Sequence, residues 1–301
     1  MKAFIITHKR SLHFANVSRN DSPALNLILQ IFRRILGEDS VSLTVHSDDE
    51  YLSLPFHISW LHHLFHQIIF SLLKLIWSLK TLFHHLLKDS APLDCSLHAG
   101  LIALSEIRSI AGDLYKNLLR SRSDYLMYYK RLLNIEAAHL NCIKTALNRE
   151  DAVLLICEDD LQLKKYYFNL DKVFSQILTK HIRCFGDSKP YLLFLSDSYL
   201  PALYDENKWS KVNGLIYKRT NFFRDSPTFF NQQSTDCMNC YLINSTAARM
   251  LTSRIEYCNR SLLLALLPID WKINYLFLIN KLAIHIGKVS PTPFLQGSLL
   301  A

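Results

Sequence analysis

Three adjacent acids, Glu158, Asp159 and Asp160, close an apolar run that starts at Ala152. The run has the composition of a buried strand. Three like charges at one strand end repel one another, and they are costly to bury without a cation. Their hard oxygens suit magnesium or manganese. In an open α/β sheet, ligands sit just beyond the carboxyl ends of strands. Side chains alternate along an extended strand, so Glu158 and Asp160 can face one side together as metal anchors. A solvated acidic turn is the competing reading.

Other residues join this cluster as candidates. His139 lies nineteen positions before Glu158, on a helical stretch. Asp270 stands between Pro268 and Trp271, where a helix cap is one reading. Cys237 and Cys240 form a C-x-x-C with no second pair nearby, which reads as ordinary packing. Seven scattered cysteines, mostly in apolar contexts, fit reduced thiols better than a disulfide framework.

The elements that must position these residues form an α/β pattern. Ala3 to Thr7 reads as a first strand, Ala24 to Leu36 as a helix stopped by Gly37, and Val41 to His46 as a second strand. Asp124 to Leu147 is an amphipathic helix leading into the acid-tipped strand. Lys164 to His181 reads as a helix, Tyr191 to Leu195 as a buried strand, and 203–230 as loops and short strands. Asn239 to Asn244 is a strand feeding a helix over Ser245 to Ser253. Trp271 to Lys281 is a late helix, Ala283 to Ile286 a late strand, and Pro291 to Ser298 a terminal loop.

Between them, residues 51–122 look like a helical insertion in a single domain spanning 1–301. Within it, Trp60, Leu61, Phe65, Ile68, Leu72, Ile76 and Leu79 follow a helical stripe. His62, His63, His66, Lys74 and Lys80 take the other face. Helix 58–88 either packs on the domain or lies on an anionic membrane surface. Its histidines read as a solvated face rather than a metal site.

Composition narrows the class. The chain has 301 residues, half of them hydrophobic, and a net charge of +8. That is globular, and basic enough to attract phosphorylated substrates or anionic lipid. No nucleic-acid motif is present, and no nucleic-acid partner is expected. There is no G-x-G-x-x-G and no Walker motif. No stretch reads as a signal peptide or a membrane span.

Five motifs in order resemble glycosyltransferase family 25, the lipooligosaccharide and collagen galactosyltransferase group. They are Thr7-His-Lys-Arg10 after strand one, Ala138-His139-Leu140 on a helix, the Glu158-Asp159-Asp160 strand end, Cys240-Tyr-Leu-Ile-Asn-Ser-Thr-Ala-Ala248, and Pro268-Ile-Asp-Trp271. A closing Pro293 to Ser298 is also similar to that family's Gln-Gly-Ser ending. Ala138 stands where that family has Ser.

The resemblance implies an A-type glycosyltransferase fold, a Rossmann-like nucleotide-sugar-binding sheet flanked by helices. It implies galactosyl transfer from a UDP-sugar to a glycan or lipid-linked acceptor such as lipooligosaccharide, in the cytoplasm or at the inner membrane face. Glu158 and Asp160 would hold manganese or magnesium, which stabilises a departing diphosphate. Asp159 would face the nucleotide ribose or the interior. Thr7, Lys9 and Arg10 would lie near the nucleotide, His139 near phosphate or the metal, and Gln296 and Ser298 over the donor. Asp270 would be the general base of an inverting displacement, and Trp271 a sugar platform or a core residue. A non-catalytic binding or membrane-surface protein on the same fold is the alternative, and a metal-dependent phosphohydrolase a third reading. Adjacent acids on one strand end cannot flank a glycosidic bond, which disfavours a glycosidase.

Overall fold

The computed structural model describes residues 1–8, 23–47, 54–55, 122–149, 152–159, 161–163, 189–196, 209–211, 216–219, 238–261, 267–278, 282–289 and 294–296, with single positions elsewhere, several of them within 61–79. The opening is βαβ. Strand β1 is Lys2–His8, helix α1 is Pro23–Leu36, and strand β2 is Val41–His46. Gly37 ends α1 with a φ of 90°, a conformation that residues with a Cβ rarely adopt, and its N–H bonds the Arg33 carbonyl at 2.8 Å.

Helix α2, Arg122–Asn148, then delivers the chain to β3, Val153–Glu158. The later strands are β4 (Leu161–Leu163), β5 (Tyr191–Phe194), β6 (Trp209–Lys211), β7 (Ile216–Arg219), β8 (Cys240–Asn244), β9 (His285–Val289) and β10 (Phe294–Gln296). Helix α3 is Ser245–Asn259 and α4 is Ile269–Leu278. Among the described residues of the expected 164–181 helix, Lys172, Ser175 and Gln176 are helical.

Eight of these strands form one mixed sheet in the order β2-β1-β3-β8-β5-β9-β7-β6, and β4 pairs with β10 in a second, two-stranded sheet. Strand β1 is parallel to both β2 and β3, whereas β8 enters antiparallel between β3 and β5. Helices cover both faces, an α/β arrangement consistent with a Rossmann-like nucleotide-binding fold.

Strand alternation divides the core in two. Phe4, Ile6, Leu154 and Ile156 point to one face, under Ala138 and Ile143 of α2 and residues of α3 and α4. Ala3, Ile5, Leu155 and Cys157 point to the other, under Ile28, Ile31 and Phe32 of α1. The chain therefore covers one face between β1 and β2 and the opposite face between β2 and β3.

Some expectations differ in extent. Helix α3 continues past Ser253 to Asn259, because Ile255 and Cys258 carry its buried stripe another turn. The terminal segment expected as a loop contains β10, with Phe294 buried beneath α1. Trp271 is buried in the core with the first face's residues. Among the described residues, no helix is long and apolar enough to cross a membrane.

Candidate functional site at the β1–β3 rim

In an open sheet the crevice forms beyond the carboxyl ends of the strands, at the point where the strand order reverses. Here that point lies between β1 and β3, with α1 on one face and α2 on the other. The register aligns Ile6 with Glu158, so Thr7 ends beside Asp159 at the carboxyl ends of both strands.

Glu158 and Asp159 each have their own support. Thr7 is buried, and its hydroxyl donates to Asp159 Oδ2 at 2.6 Å. Glu158 faces α2, where the ring of His139 meets its Oε1 through Nε2 at 3.2 Å. His139 is fully buried, while the Glu158 side chain keeps 25% of its surface exposed. Nδ1 of the same ring lies 3.1 Å from the Tyr241 hydroxyl, and the two rings stack with centroids 5.8 Å apart. A carboxylate only accepts, so the proton between His139 and Glu158 belongs to Nε2. Burial pushes the Tyr241 phenol well above its usual range, with Cys142 and Glu158 adding to the effect. The phenol stays protonated, and its hydroxyl pairs with Nδ1 of the ring. Tyr241, His139 and Glu158 thus form a hydrogen-bonded chain from the core to the rim.

Strand alternation stops at Glu158, because Asp159 already lies in a turn leading to β4. Asp160 lies outside the described residues, as do Lys9, Arg10, Ser298 and Cys237; Gln296 is described in its backbone, as the last residue of β10. Asp270 occupies the first turn of α4, where a carboxylate favours the helix N-terminus, and it is 9% exposed. Cys240 is buried beside Cys157, their sulfurs 3.1 Å apart, and burial raises the Cys157 thiol well above its usual range.

Two polar groups at this rim lack a hydrogen-bond partner among the described residues: Ser196 Oγ, just past β5, and Asn239 Nδ2, just before β8. Asn239 is tied to the acids through its backbone, its carbonyl accepting from the Glu158 N–H at 2.8 Å. A buried donor without an acceptor costs about 1–3 kcal/mol, so these atoms suit a bound oxygen-rich ligand or water.

A second buried polar cluster lies one helical turn from His139. Lys272 of α4 donates to Glu136 of α2 and to Asn259 Oδ1 of α3 at 2.7 Å, and Asn259 Nδ2 donates to Glu136 Oε1 at 2.6 Å. Lys272 and Glu136 are both buried. Sequence reading missed Tyr241, Ser196, Asn239 and this triad. Glu136 carried a signal, since it falls three residues before His139 on the same helix face.

Glu158 and Asp159 supply the hard oxygens that a divalent cation prefers. Among the described residues, no group of three or more His, Cys, Asp or Glu could hold a metal ion.

No protein-family model matches the sequence, and no curated protein is similar to it. Among solved structures, a mannose-1-phosphate geranyltransferase from Thermus thermophilus is similar at a TM-score of 0.29 and 14% identity, over 50% of this chain and 48% of that one. The chain spans about half the length of that protein, and a likeness so distant carries no argument.

Proposed function

We propose that the protein is a metal-dependent glycosyltransferase that moves a sugar, galactose in the first instance, from a UDP donor to a glycan or lipid-linked acceptor. The observation that carries this reading is the position of Glu158 and Asp159. They stand where the strand order reverses between β1 and β3, each held by a buried partner. Preorganised charge at such a crevice favours a ligand whose own charge needs a counter-ion.

Glu158, with Asp160, would hold magnesium or manganese, which when bound neutralises charge on a departing diphosphate. In this reading His139 fixes the Glu158 carboxylate, and Thr7 fixes Asp159 toward the ribose. Asn239 and Ser196 offer polar atoms to the donor. Lys9 and Arg10 follow β1 in the sequence and suit phosphate oxygens. Asp270 takes the proton of the acceptor hydroxyl as it attacks the anomeric carbon opposite the diphosphate, inverting that centre. Gln296 and Ser298 close over the donor.

A ligand that binds only the folded state raises apparent stability, by about 2.7 kcal/mol at a hundredfold excess over its Kd. The test is a thermal-shift screen of UDP-sugars with and without manganese. A rise of several degrees is expected only when both are present, and it should vanish in Glu158→Gln and Asp160→Ala. No shift with any nucleotide sugar, or the same shift in both variants, overturns the reading. Phosphate release from simple monoesters without UDP-sugar binding would point to a phosphohydrolase instead.

A further inference from the structure

The insertion exposes what a helix packed on the domain would bury. Leu61, Phe65, Ile68, Leu72, Leu75, Ile76 and Leu79 are all helical, and each is between 41% and 57% exposed. At 100° per residue these seven positions fall within an arc of about 100°, so they form one stripe. Ile69, at the edge of that arc, leans on the core cluster beneath α2, α3 and α4. Ile69 thus faces the domain, while the described side chains of the stripe stay about half exposed. Monomeric proteins rarely expose a continuous apolar patch above a few hundred Å².

We propose that this stripe seats on the surface of an anionic lipid bilayer, with the helix axis in the membrane plane. The charge pattern selects this occupant. From Tyr51 to Lys88 the sequence holds Lys74, Lys80 and Lys88, six histidines, and no Asp or Glu. Within that span, bordered by Asp48, Asp49, Glu50 and Asp89, apolar side chains interspersed with cations match a surface of acyl chains and anionic headgroups. A second copy of this chain fits less well. Leu61, Phe65, Ile68, Leu72, Leu75 and Leu79 do recur at the alternating spacing of four and three that lines a coiled-coil seam. Such a pairing would bring two cationic segments together with no acid from 51 to 88 to pair them, and Ile76 widens the stripe beyond a two-position seam. Insertion across the bilayer is a different mode, opposed by Lys74 within the apolar run and by the histidine pairs that flank it.

The proposal is independent of the catalytic reading, and its test uses no substrate. The full-length chain is sedimented with vesicles of phosphatidylcholine alone and of phosphatidylcholine mixed with phosphatidylglycerol. Partitioning should be at least about tenfold stronger onto the anionic vesicles and should weaken as salt rises. Leu72→Glu combined with Leu75→Glu should abolish it while leaving the melting temperature unchanged, since both side chains are half exposed. Glu158→Gln should bind vesicles like the parent. Equal binding to both vesicle types, no binding to either, or full binding by the double variant overturns the proposal. So does a parent chain that sediments as a dimer, turns monomeric in the double variant, and ignores lipid.

Discussion

At the scale of single residues, the site depends on two buried side chains that touch the acids rather than a ligand. His139 orients Glu158, and Thr7 orients Asp159. Partners of metal-binding groups in this position typically carry 10–100-fold in metal affinity. On the proposed reading, His139→Ala lowers manganese affinity, measured by titration calorimetry with UDP present, by about that factor. Tyr241→Phe gives a smaller loss, because the ring of His139 keeps its stacked neighbour but loses the hydroxyl paired with Nδ1. If the two variants matched the parent in metal affinity and differed only in melting temperature, His139 would be structural. The acids themselves were legible, because charge at the end of an apolar run is a local signal. Their partners were not. Tyr241 lies 102 positions from His139 and Thr7 lies 152 from Asp159, so only the fold brings them together.

At the scale of elements, the helices are tied by buried polar groups that periodicity treats as noise. The Lys272–Glu136–Asn259 triad joins α4, α2 and α3 with its charges paired and hydrogen-bonded. Removing Lys272 or Glu136 alone leaves an uncompensated buried charge, at a cost of about 3–5 kcal/mol. Lys272→Met should show that loss in urea unfolding. Glu136→Leu added to Lys272→Met should recover most of it, since a well-packed apolar pair can replace a buried ion pair. A double variant as unstable as the single would mean that the triad's shape, not its charge, matters. The elements themselves were largely readable. Strand β2 falls on the expected residues, and Gly37 stops α1 where its positive φ requires. Asn244 both closes β8 and caps α3, accepting from Ala247 N at 3.0 Å, and the Asn-Ser-Thr sequence there signals a helix start. Strand β10 was missed because three residues carry no usable alternation and its pairing with β4 is remote. The stripe at 61–79 was legible, but its direction stayed open between the domain and a membrane surface. An apolar helical period states which face is apolar, not what covers it.

At the scale of the whole molecule, sheet order was the least legible property. Nothing in the local sequence places β8 antiparallel between β3 and β5, yet that placement brings Tyr241 under His139 and Cys240 against Cys157. The same closure buries thiols throughout the core, and this gives the fold a pH limit. Burial raises the Cys142 thiol from 9.0 to about 11 and the Cys258 thiol from 9.0 to about 12. In both cases the folded value lies above the unfolded one. The folded state therefore holds its proton where the unfolded chain has released it, and stability falls with rising pH. This contribution is complete below pH 9 and is lost progressively from pH 9 toward 11 for Cys142 and toward 12 for Cys258. Urea midpoints of the parent should drop across that window. In Cys142→Ala the drop should be shallower, by on the order of 1–3 kcal/mol at the alkaline end, even though the variant starts lower from the lost packing. Comparing slopes rather than absolute midpoints separates the two effects, and parallel slopes would show that Cys142 ionises as readily in the folded protein as in the unfolded chain.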